Sequence, residues 1–242
     1  MKRLGIFCTA LALTACGTTA PPTGQLQTIS PAAAYNYFEE IAFDSEWDGK
    51  HNVKKWTQGM YVYVDAPAGV PEYLASELDV IVDELNELVG WGELPGYEMI
   101  KFVDNREAAN MTIYMGAPQG FIQLEPSSAS RITGPGANSG YFIVHSWRSS
   151  SRIYAGSIFL NMVDPKLTDN AKKHLLREEL TQSLGLMNDS VKYSRSMFYA
   201  GWTLRTNFTT LDKRLIRTLY NPDVQPGMTK SQVRRVTRGS VL

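Results

Sequence analysis

Residues 174–199 read HLLREELTQSLGLMNDSVKYSRSMFY, the chain's densest run of side chains able to carry protons or hold ions. In a helix, His174, Glu178 and Gln182 stand one turn apart on a single face. Leu176, Leu180 and Leu184 form a second stripe about 200° round the axis, which marks the core side. An imidazole, a carboxyl and an amide in a row suit either a hydrogen-bond network or the holding of an ion, and His174 and Glu178 are spaced to share a metal. Glu179 adjoins Glu178 in sequence but lies about 100° away, so the two are not expected to act as a pair on one atom. Outside this run, His145 (in VHSW) sits on a strand-like segment that would face the helix, and His51 lies in a charged, exposed stretch. Ser127, Ser128 and Ser146 lack a nucleophile-elbow context. The glycines of ITGPGANSG are spaced for turns, with no strand-to-helix setting for a phosphate loop.

The elements that must position this run are legible from periodicity. Ser30-Pro31 caps a short helix over AAAYNYFEEIAF. Met60 to Asp65 alternates as a strand. Leu74, Leu78, Ile81, Leu85 and Leu88 recur at helical spacing, with Gly90 as the stop. Met99 to Asp104 and Asn110 to Gly116 are further strands, and 116–140, rich in Gly, Ser, Pro and Ala, is expected as a long ordered loop. GYFIVHSW and RIYAGSIFLNM, joined by RSSS, form a hairpin. A helix from Thr168 to Leu184 stops at Gly185. A last helix begins at the capping box Thr209-x-x-Asp212 and ends at Asn221-Pro222. The class expected is α+β, with a twisted mixed sheet and no second domain.

EELTQSLGLMND resembles the zinc signature of the metzincin metalloproteases. Aligned on Gly185, Glu178 falls at the first His, Glu179 at the catalytic Glu, Gln182 at the second His and Asn188 at the third ligand, with Asp189 beside it. Ser196-Met197-Phe198-Tyr199 is similar to the Met-turn, and TTLDKRLIRTLY to the final helix of that fold. The resemblance implies a zincin-like domain with an edge strand over the active-site helix, and Met197 beneath the site. EELTQ, LGL, ND, S-x-F-Y and LYNPDVQPGM together also resemble an uncharacterised family of proteobacterial lipoproteins, a domain of unknown function. The zinc ligands are replaced throughout. Amide oxygens from Gln182 and Asn188 are poor for Zn²⁺ and better for hard ions. No cofactor is therefore expected; the alternative is a divalent cation on Glu178, Gln182 and Asp189.

The N-terminus supplies a location. Met1-Lys2-Arg3, an apolar run of about ten residues and Leu13-Thr14-Ala15-Cys16 read as a signal peptide with a lipobox. Lipid on Cys16 would anchor the chain to a membrane. Gly17 at the following position favours the outer membrane, facing the periplasm. Residues 1–15 are thus the signal, 16–30 a Thr/Pro/Gly-rich tether, 31–229 the zincin-like domain and 230–242 a basic, solvated tail. Without Lys2 and Arg3 the chain has 22 basic and 24 acidic residues, which argues against a nucleic-acid partner. The function expected is a non-proteolytic binding or assembly factor of the cell envelope, holding an extended peptide or envelope protein in its cleft. The alternative is a hydrolase on peptide or cell-wall substrate, with Glu179 as general acid or base.

Overall fold

The computed structural model describes residues 29–43, 51–90, 98–239 and 241. Cys16, the signal segment and nearly all of the tether lie outside the described residues. Helix α1 spans Pro31–Phe43. Strand β1 is Lys55–Trp56, β2 is Met60–Asp65, and α2 is Glu72–Val89. Then come β3 at Ile100–Phe102 and β4 at Met111–Gly116. A hairpin of β5, Gly140–Ser146, and β6, Arg152–Asn161, leads to α5 at Asp169–Gln182. Helix α6 covers Thr210–Leu219.

The fold is mixed α/β, and its sheet is mostly parallel. Strands β3, β2, β4 and β6 are parallel neighbours in that order, and β5 pairs antiparallel with β6. Because β5 runs beside Ile153 to Leu160 of β6, the two-residue β1 and the longer β4 share the opposite edge of β6. Among the described residues no strand pairs with the outer edge of β5.

Strand alternation divides the apolar residues between two faces. Met111, Ile113, Met115, Ile158 and Leu160 join the main core with α1, α2, α5 and α6, while Tyr114 and Phe159 point the other way with Tyr141. The five apolar positions of α2 are all buried. Arg177 of α5 is buried against that helix, donating to Glu77 at 3.0 Å and to Glu84. The capping box of Thr209 and Asp212 is present.

Two segments differ from expectation. The stretch 116–140 is largely helical: α3 at Pro118–Leu124, a 3₁₀ turn at Pro126–Ser128 and α4 at Ala129–Ile132. Pro118 opens α3 at a first-turn position, and Phe121 and Ile132 anchor the pair on Tyr114, Phe159 and Tyr141. The basic tail is also folded. Helix α7, Lys230–Val236, has its own Thr229/Gln232 capping box and buries Val233, and Arg234 ion-pairs with Glu39 of α1. Among the described residues no helix is long and apolar enough to cross a membrane.

Candidate functional site

Helix α5 presents its core stripe as expected, with Leu176, Leu180 and Leu184 fully buried. The opposite side is covered too. The start of β5 lies along one flank and residues 199–202 along the other, enclosing a cleft of about 470 Å³. Glu178, Glu179 and Gln182 line it from α5, Gly140, Tyr141 and Phe142 from β5, and Asn188 and Asp189 from the loop that follows Gly185.

Two glycines make this geometry sterically possible. Gly185 has φ +120°, and a Cβ there would lie 2.0 Å from the Lys54 carbonyl oxygen. A side chain at this position would therefore separate the end of α5 from the segment entering β1. At Gly140 a Cβ would lie 2.6 Å from Glu179 Oε1 and 2.9 Å from Leu175 Cδ2. The glycine lets the edge strand close over the carboxyl.

The loop after Gly185 is held from several sides. Gln182 Nε2 donates to Asp189 Oδ1 at 2.5 Å. Asn188 donates its backbone N–H to Ile41 O at 3.2 Å and its side-chain amide to Glu40 O at 3.1 Å, tying the loop to α1. Ser190 N donates to Phe198 O, and Ala200 N to Ser190 O. Beneath the turn, Ser196 Oγ donates to Asp212 Oδ1 at 2.6 Å, and Met197 N to the same oxygen at 3.2 Å. Tyr37 of α1 donates to Ser196 Oγ at 3.0 Å.

The electrostatics follow from burial. Glu179 is 7% exposed, and among the described residues nothing hydrogen-bonds its carboxyl. Burial, then Glu178, then Asp189, raise its pKa well above the usual carboxyl range. Burial and Asp189 push Glu178 up to about 8. His174 is buried, with Nδ1 donating to Arg205 O at 2.7 Å. That leaves Nε2 as an acceptor, 3.3 Å from Thr203 Oγ1 and 3.4 Å from Glu178 Oε2. Burial lowers the His174 pKa, so the imidazole that faces Glu178 is held toward its neutral form.

Glu178, Glu179, Gln182, Asn188 and Asp189 all border the cleft. Glu178 and Glu179 do so together despite their 100° separation, because the cleft wraps round the helix between two flanks. Met197 is buried in the core, and the methionine bordering the cleft is Met187. His145 does not join the lining residues. It stands 3.5 Å from Glu125, whose carboxylate also accepts from Ser157 Oγ at 2.8 Å. The pairing raises the His145 pKa and lowers that of Glu125. Gly140 and Trp202 were not singled out by sequence reasoning. Gly140 is the first residue of β5, a faint sign of close backbone approach that reads in the sequence as one more turn glycine, whereas Trp202 carries no periodic signal.

The donor set does not fit a zinc ion. Gln182 is committed to Asp189, and the Asn188 amide is turned to α1. Among the described residues no three His, Cys, Asp or Glu side chains are grouped as a metal would require. No curated protein matches the chain. Residues 31–239 match the family described as "Protein of unknown function (DUF2927)", and the chain belongs to that family.

Proposed function

We propose that this protein is a non-proteolytic, zincin-like binding factor of the cell envelope, anchored through lipid on Cys16, whose cleft receives an extended polypeptide along β5. The observation that carries the reading is the outer edge of β5, unpaired among the described residues, which borders a cleft where Gln182 and Asn188 hydrogen-bond to other parts of the chain. An exposed edge strand offers a row of backbone donors and acceptors that an incoming strand can pair. The zincin-like reading draws support from the strand order with a single antiparallel strand at the edge, from an α5 ended by Gly185, and from the buried turn at Ser196–Phe198 ahead of α6.

A photo-crosslinking residue in place of the 64%-exposed Trp202 tests this, with Val191, exposed but outside the cleft lining, as control. The Trp202 position should trap a polypeptide that the control does not. A synthetic peptide of the trapped segment should slow amide exchange across Gly140–Ser146 and remain uncut. Absence of a site-specific adduct, or unchanged exchange, refutes the reading.

A second reading is favoured by the raised pKa values of Glu178 and Glu179. Perturbed carboxyls in a cleft are what a general acid requires. On this reading Glu179 protonates the leaving group of a peptide or cell-wall substrate, and the trapped segment would be cleaved.

A further inference from the structure

Glu178, Glu179 and Asp189 meet in one cleft, and the charges around them are one-sided. From α5 the cleft receives the carboxyls of Glu178 and Glu179 and the neutral His174. From the loop after Gly185 it receives Asp189, and from residues 199–202 no charge at all. Strand β5 contributes Tyr141 and Phe142. Among the described residues the one cationic side chain of the lining is Arg131, an exposed residue of α4. Arg177 belongs to the same helix but is spent on Glu77 and Glu84. A buried carboxyl without a cation or a set of donors is costly. Glu179 nevertheless stands nine-tenths buried in the lining of the cleft, with the backbone of Gly140 packed against its carboxyl. At the mouth stands Trp202, its ring edge-on to His174 at 6.4 Å between centroids. Carboxyls at the base of a cleft with an exposed indole at its rim suit an organic cation.

We infer that the cleft is a recognition pocket for a basic side chain, the ammonium of Lys or the guanidinium of Arg, taken onto Glu179 with Glu178 and Asp189 around it and Trp202 alongside. The inference rests on the proposed polypeptide-binding role and specifies which residue the bound segment inserts. When the cation enters, any proton held by the carboxyl it meets leaves to water, and the ammonium or guanidinium keeps its own. A basic group thus supplies positive charge to a site where, among the described residues, Arg131 is the one cationic side chain of the lining.

The full mature chain can be titrated with Nα-acetyl-lysine amide and Nα-acetyl-arginine amide, against norleucine and citrulline analogues of matched shape. NMR shifts of the Gly140 amide and the Trp202 indole serve as readout. The basic ligands should bind at least tenfold more tightly than the neutral ones. Glu179→Gln, close to isosteric, should erase that preference, and Glu178→Gln should reduce it if the first variant folds poorly. Equal binding of charged and neutral ligands, no binding of the basic ones, or a preference that survives both substitutions overturns the inference. So does a stoichiometric Ca²⁺ site that excludes the amines. The crosslinking and exchange results at β5 stand apart from these, so a peptide bound without a basic preference would sink this inference alone.

Discussion

The side-chain amide of Gln182 and the carboxylate of Asp189 meet at 2.5 Å, a contact that closes the loop after Gly185 back onto the helix preceding it. In a zinc site of the resembled kind, Gln182 would stand at a ligand position and Asp189 next to one. Here they converge on each other. Wild type is expected to purify with well under one zinc per chain. Glu178→His with Gln182→His should create a tight zinc site, because the i, i+4 imidazoles would have Asp189 as a third donor. Adding Asn188→His should contribute less, since that side chain is turned toward the Glu40 carbonyl. Metal analysis after dialysis checks all three. A folded double variant that ignores zinc would mean the positions do not converge.

Stability should fall as pH rises from the ordinary glutamate range through about 8. Glu178 and Glu179 hold their protons more tightly folded than unfolded, so their contribution is fully present in acid and lost across that window. Glu179→Gln keeps the shape without the titration. Its melting temperature at pH 8 should exceed wild type by at least about 2 °C, the shift that roughly 1 kcal/mol produces in a domain of this size. At pH 5 the difference should shrink. Parallel pH profiles for the two proteins would be the contrary result.

Gly140→Ala should destabilise the fold by about 1–3 kcal/mol, the usual cost of overpacking, because its Cβ meets both Glu179 and Leu175. Combining it with Glu179→Ala should recover part of that loss. Denaturant melts of the four proteins in the cycle measure the coupling, and strictly additive effects would remove the assigned contact.

Asp212→Ala should cost more than a typical cap. The carboxylate accepts from Ser196, Met197 and Thr209, and hydrogen bonds to a charged group are worth about 1.5–3 kcal/mol each. The loss should appear in equilibrium melts and as faster amide exchange at Ser190 and Ala200. Unchanged exchange in that loop would show that the turn stands without its anchor.

Cys16→Ser should leave the protein unprocessed or soluble, whereas wild type should label with a fatty-acid analogue and fractionate with membranes. A wild type that behaves as a soluble periplasmic protein would refute the anchor.

Much of the scaffold was legible because its elements are amphipathic on one side. The leucines of α2 and the alternation of β2 leave little choice of element or face. The stretch 116–140 was not legible, since Phe121 and Ile132 are its only buried apolar residues and the surrounding Gly, Ser and Pro read as loop. Helix α7 was hidden for a similar reason: one inward valine among exposed basic residues looks like a tail. At the site, helical spacing placed His174, Glu178 and Gln182 on one face, and all three line the cleft. It could not show that the cleft wraps far enough to take in Glu179 as well. Nor could spacing show that Asn188 turns away, because its partner carbonyl lies 148 residues earlier.

That last separation bears on how the chain is made. Helix α1 is the first described element to emerge during synthesis, and Asn188, Ser196, Phe198 and Arg234, to which it is bonded, emerge near the end. Through most of translation, and through any passage across a membrane, α1 lacks these bonding partners. Contacts this distant in sequence slow folding and prolong exposure of sticky surface. Helix α1 therefore cannot complete its side of the domain until the last quarter of the chain has been made.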